Sequence, residues 1–156
     1  MKRTDYKCNS RYIIAAYSID DKNSSVSTKI IALSNLNHSE LWNKTFDSTA
    51  IAIPDEDVTG DGLSDIVVCE IYAKENSTDA DITLLIWTDG LRLWKRCHNS
   101  SIEVASTAPD LTDDGIKDFA VYRFSTSGNG SASVEASLGD DGSMLWRTLS
   151  MILLPQ

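Results

Sequence analysis

The nine residues Asp57-Val58-Thr59-Gly60-Asp61-Gly62-Leu63-Ser64-Asp65 return 53 positions later as Asp110-Leu111-Thr112-Asp113-Asp114-Gly115-Ile116-Lys117-Asp118. Both copies read Asp-x-Thr-x-Asp-Gly-x-x-Asp. Oxygen-bearing side chains at alternate positions of a tight turn are what a hard divalent cation such as Ca2+ uses, in sets of roughly six to eight. Asp57, Thr59, Asp61 and Asp65 would offer side-chain oxygens in the first copy, with the Leu63 carbonyl between them. The second set is Asp110, Thr112, Asp114 and Asp118, with the Ile116 carbonyl. Gly62 and Gly115 follow the middle aspartate, where the chain must turn and a Cβ would obstruct it. With one copy alone, a solvated Asp/Gly turn would remain a competitive reading. The duplication favours metal loops, hence two Ca2+ sites.

The residues after each loop decide its kind. A helix-flanked calcium loop of the EF-hand type carries glutamate at its twelfth position. Val68 and Val121 stand there instead. The continuations Ile66-Val67-Val68-Cys69-Glu70-Ile71-Tyr72 and Phe119-Ala120-Val121-Tyr122-Arg123-Phe124 are β-branched and aromatic, the composition of strands.

The repeat extends beyond the loops. Trp42, Trp94 and Trp146 are spaced by 52 and 52, and each closes a similar phrase: Leu33 to Trp42, Ile86 to Trp94, Leu138 to Trp146. Asp89-Gly90 and Asp141-Gly142 mark two-residue hairpins; the first phrase is one residue longer, lacks the glycine, and predicts a looser turn. One unit then reads as four strands: Thr49–Ile53, Ser64–Tyr72, Asp81–Thr88 and Leu91–Lys95. The next runs Ile102–Thr107, Lys117–Phe124, Ser131–Leu138 and Met144–Thr148. Arg11–Ser18, Ser27–Ser34 and Glu40–Phe46 match the last three strands of an earlier unit. At the repeat offset Thr4, Tyr6, Cys8 and Tyr12 replace its acidic ligands, so it has no cation site. No helical periodicity interrupts the pattern, and the chain reads as all-β.

The units are an incomplete first one over 11–46, a second over 49–97 and a third over 102–149, in a single repeat domain. A strand over 151–154 resembles the start of a further unit and would complete the first.

Bulk properties narrow the partners. A net charge of −9 argues against nucleic acid and anionic membrane surfaces. Nine of the 23 acidic residues sit in the two loop regions, so bound cations would relieve much of that charge. No apolar run is long enough to insert in a membrane, and no signal peptide is visible at Met1. Cys8, Cys69 and Cys97 form neither a disulfide framework nor a zinc site, and Cys69 reads as a buried apolar residue. Six of eight asparagines begin an Asn-x-Ser/Thr acceptor: Asn23, Asn37, Asn43, Asn76, Asn99 and Asn129. That frequency favours glycosylation on an extracellular or cell-surface protein.

A four-stranded unit of this length matches a propeller blade. The acidic loop followed by an apolar strand resembles the FG-GAP/VCBS repeats of integrin-α-like β-propellers, and the Asp-Gly-x-x-Leu-Trp turns resemble those of quinoprotein-type propellers. The resemblance covers most of 11–154. It implies three tandem four-stranded antiparallel blades, as an open arc or as part of a larger or dimeric propeller. It also implies Ca2+ between the first two strands of a blade, at the residues named above. Threonine at the third position departs from the commoner Asp or Asn and removes a charge from each site.

The tryptophans could form a sugar-binding platform, but their register favours packing between units. His38 and His98 lie in polar stretches and read as solvated. No Ser/His/Asp or Cys/His set, phosphate loop or zinc-protease helix stands out, so no catalytic residue is assigned. The expected function is a non-catalytic Ca2+-stabilised module for adhesion or recognition, with a protein or carbohydrate ligand. Homodimers or neighbouring repeats of a longer chain would cover its ends. The alternative is a fragment or subunit of a propeller enzyme, either a quinone-dependent dehydrogenase or a polysaccharide lyase.

Overall fold

The structure, a computed structural model, describes residues 12–20, 25–34, 36–126 and 131–151. These form three antiparallel sheets with no helix among them. The first sheet contains β1 (Tyr12–Asp20), β2 (Ser25–Leu33) and β3 (Glu40–Phe46). The second contains β4 (Thr49–Pro54), β5 (Ile66–Ala73), β6 (Thr78–Leu85) and β7 (Arg92–His98). The third contains β8 (Ser101–Thr107), β9 (Phe119–Ser125), β10 (Ser131–Ser137) and β11 (Met144–Met151). Each sheet is a meander in chain order, and none closes on itself. The all-β expectation holds, and the described strands fall into three antiparallel sheets. The strand expected over 151–154 lies largely outside the described residues; Met151 itself extends β11 and pairs with Ser131.

The turns differ from the sequence expectation. The strand expected to reach Thr88 stops at Leu85, because Leu85 pairs with Arg92 and the connection is wider than a two-residue hairpin. Ile86 N–H donates to Leu91 O at 2.8 Å and Gly90 N–H returns to Ile86 O at 2.9 Å. Leu138 and Gly142 do the same in the third sheet. The first turn is neither longer nor looser. Ser34 N–H donates to Ser39 O and His38 N–H to Ser34 O, both at 2.9 Å. Asn37 caps Ser39 N–H there, as Asp89 caps Leu91 and Asp141 caps Ser143. His38 therefore stands where Gly90 and Gly142 stand, with φ of 58° against their 71° and 72°. The missing glycine disguised an identical turn.

The middle sheet is buried on both faces, which is why β5 reads as a nearly continuous apolar run, while β6 alternates in polarity yet is buried without a break from Ala80 to Leu85. Toward the first sheet it presents Ala50, Ile66, Val68, Leu85 and Trp87, packed on Ile30, Ala32, Trp42 and Phe46. Toward the third it presents Val67, Cys69, Ile82, Leu84 and Trp94, packed on Ala105, Phe119 and Val121. Trp94 meets Phe119 edge-to-face with ring centroids 5.4 Å apart. The indole N–H of Trp42 donates to Trp87 O at 2.7 Å and that of Trp94 to Gly139 O at 2.8 Å. Trp42 and Trp94 thus join neighbouring sheets, as their register indicated. Trp146, in the same register, is 50% exposed. Cys69 is buried and free, as expected.

One contact between the second and third sheets contradicts the sequence reading. His98 is not solvated: its Nδ1 lies 2.7 Å from a fully buried Glu103 oxygen. The strand alternation that turns Trp94 inward also turns Arg96 and His98 inward. They enter a buried polar group where Glu103 binds Arg123, and Glu135 binds Arg96, Arg123 and Arg147. Burial pushes the Glu135 carboxyl up, but the Arg96 hydrogen bond and the charges of Arg123, Arg147 and Arg96 outweigh it and hold its pKa below the usual range.

Two outcomes are expected. Leu84→Ala, at a fully buried position, should cost about 2–5 kcal/mol of unfolding free energy, whereas exposed Leu91→Ala should stay within about 0.5 kcal/mol. Urea titration measures both. The second concerns pH. A depressed folded-state pKa stabilises above the unfolded value of about 4.3 and loses that contribution as pH falls through the folded value. The stability gap between wild type and Glu135→Gln should therefore be widest at neutral pH and narrow in urea titrations below about pH 4.

Candidate metal loops

The loop from β4 to β5 and that from β8 to β9 adopt one form. Pro54 ends β4, and beyond it Asp55 N–H bonds Asp65 O at 2.9 Å; Ala108 N–H bonds Asp118 O at 2.7 Å in the other copy. Gly62 and Gly115 have φ of 84° and 88°. A Cβ at either would meet nothing within 4 Å, so glycine is required there by dihedral angle rather than by space. The residues two before them, Gly60 and Asp113, are also left-handed, at 75° and 60°. Aspartate tolerates that region better than most residues.

The ninth residue anchors each loop. Asp65 is fully buried. One of its oxygens accepts the N–H groups of Val58 at 3.0 Å and Thr59 at 2.9 Å, and the other accepts Trp87 N–H at 3.3 Å. Asp118, equally buried, accepts Leu111 N–H at 2.7 Å and Gly139 N–H at 3.2 Å. Burying a carboxylate is costly unless donors surround it, and here the backbone supplies them.

The first residue gathers the loop around itself. Asp57 accepts Gly60 N–H at 2.7 Å and Asp61 N–H at 3.1 Å on one oxygen, and Gly62 N–H at 2.7 Å on the other. Asp110 accepts Thr112, Asp114 and Gly115 N–H at 3.2, 3.3 and 2.8 Å. The Gly115 N–H, helped by those of Asp114, Asp113 and Thr112, holds the Asp110 carboxyl below the usual carboxylate range. At the tips, Asp61 caps Leu63 N–H and Asp114 caps Ile116 N–H, each at 2.8 Å. Thr59 and Thr112 are exposed, with their hydroxyls 3.5 Å from Asp57 and Asp110. Leu63 and Ile116 turn their side chains onto the two cores.

The donor chemistry suits a hard cation, but the arrangement commits the carboxylates to amides. Among the described residues, no three Asp, Glu, His or Cys side chains converge where they could hold a metal ion. The sequence pattern missed this backbone role of Asp65 and Asp118. Its signal was available in the burial expected of a residue directly before a strand that opens on apolar residues. Four acceptor asparagines, Asn37, Asn43, Asn76 and Asn99, are exposed; Asn23 and Asn129 lie outside the described residues.

The chain matches no protein-family model and no curated protein.

Asp65→Ala strands the buried amides of Val58 and Trp87, each costing about 1–3 kcal/mol when left without a partner, and should lower the melting temperature by several degrees. Asp61→Ala, at an exposed tip, should shift it little in chelator. Differential scanning calorimetry of both variants checks the ranking.

Proposed function

We propose that the chain is a non-catalytic segment of a β-propeller, its three sheets acting as blades, and that the loops 57–65 and 110–118 take Ca2+ as a structural ion in a module for extracellular recognition. The observation that supports this most is the equivalence of the two loops. Each hangs from a buried aspartate and carries two further aspartates on the solvent side, Asp57 and Asp61 or Asp110 and Asp114. Ordinary surface turns have no reason to share that much bonding.

Coordination requires Asp57 and Asp110 to exchange some backbone donors for the cation, with Asp61, Asp114 and the Thr59 and Thr112 hydroxyls as further ligands. Asp65 and Asp118 would then act mainly by fixing the loop from inside. Beside the first loop an open, polar concavity lined by Pro54, Asp55, Glu56, Asp57, Gly62 and Ser64 gives access to these oxygens. The exposed acceptor asparagines and the excess negative charge support an extracellular, calcium-rich setting.

A ligand that binds only the folded state stabilises by RT ln(1 + [L]/Kd). A site with Kd of about 10⁻⁴ M at about 1 mM Ca2+ would add about 1.4 kcal/mol. Calorimetric melting in 1 mM Ca2+ (about the extracellular level) should exceed melting in chelator by several degrees, and the double variant Asp61→Ala with Asp114→Ala should abolish the difference. Identical wild-type curves in the two buffers would refute the reading.

A further inference from the structure

The two sheet-to-sheet contacts follow one rule. The tryptophan of one sheet donates its indole N–H to a turn carbonyl of the next, at Trp87 or Gly139, and lays its ring on the glycine three residues later. A Cβ built on Gly90 would fall 2.8 Å from the Trp42 ring, and one on Gly142 would fall 2.8 Å from the Trp94 ring. Any other residue there must push the indole away.

The third sheet presents that docking face again. Trp146 stands in the register of Trp94, Tyr122 in that of Cys69 and Val134 in that of Ile82. The middle-sheet residues are 7%, 3% and 0% exposed; their counterparts are 50%, 44% and 36% exposed. Ile102, Val104 and Phe124 extend the same exposed apolar surface, the kind of patch that marks an interaction site.

We propose that this face docks another sheet of the same kind, one whose turn carries glycine at the position of Gly90 and Gly142, with Trp146 donating to a turn carbonyl three residues before it. Among the described residues, a second copy of this chain does not supply such a turn. Gly90 and Gly142 are already covered by Trp42 and Trp94, and the remaining turn holds His38 in that place. Its Cβ, at φ 58°, occupies the space the indole needs. His38 thus prevents the chain from stacking head-to-tail on itself, a contact that builds rings where its rotation closes and filaments where it does not. The proposal goes beyond the cation reading and uses no residue of the acidic loops.

The test supplies the missing glycine. His38→Gly in the full chain relieves a left-handed histidine and should fold at least as well, checked by circular dichroism. In sedimentation equilibrium it should self-associate at least about tenfold more strongly than wild type, and iodide quenching of Trp146 fluorescence should fall. His38→Ala, which keeps the Cβ, should behave as wild type. His38→Gly with Trp146→Ala should lose the association. Running all four in chelator and again in Ca2+ separates this outcome from cation binding. The proposal is overturned if His38→Gly stays monomeric, if His38→Ala associates equally, if association survives Trp146→Ala, or if the wild type already stacks through Trp146.

Discussion

The backbone N–H and C=O of Trp87, and their counterparts at Gly139, hold three pieces of structure together. The N–H enters the buried carboxylate that anchors the acidic loop of its own sheet. The carbonyl receives the indole of the preceding sheet. Loop, turn and neighbouring sheet therefore share one polar link inside an apolar stack. Buried carboxylates and indoles are costly to leave unpaired, so each of the three groups fixes where the others can lie. The link adds direction to a stack whose hydrophobic driving force has none.

The two interfaces solve burial differently away from that link. Between the first and second sheets, Glu70 is buried and met by Ser48, Thr83 and Lys95. Between the second and third, two buried glutamates face three arginines and a histidine. Arginine suits this because its planar fork meets several acceptors at once. Such a network contributes little net stability compared with an apolar replacement, yet removing one member leaves uncompensated charge. The two interfaces are thereby chemically distinct.

Much of the fold was legible because the repeat announces itself. The 53-residue loop offset and the 52-residue tryptophan offset located the units, and apolar runs after each loop identified strands. Glu40–Phe46 was read to the residue. What failed were features whose cause is not local. The first turn was misread because histidine replaced the expected glycine, although Asn37 retained the capping role that defines the turn. His98 was misread because polarity was taken from neighbours in sequence, when its alternation with Trp94 and Arg96 already put it on the inward face. In the loops, the pattern identified which residues belong together but not what their oxygens contact. A carboxylate bonded to amides and one bonded to a cation have the same sequence signature.

The positions at which the repeats disagree are informative for the same reason. Gly60 and Asp113 share a left-handed conformation in open space, so either residue serves. Trp87 and Gly139 share the linking N–H and C=O but not the side chain. Trp87 fills the core against the first sheet, while a Cβ on Gly139 would lie 1.9 Å from Lys117 O. His38, Gly90 and Gly142 share a turn, and only the two covered by an indole are glycine. Each turn could have held glycine on backbone grounds alone. That the one exception is the turn without a tryptophan on it, among the described residues, indicates that the neighbouring sheet rather than the turn itself selects the residue.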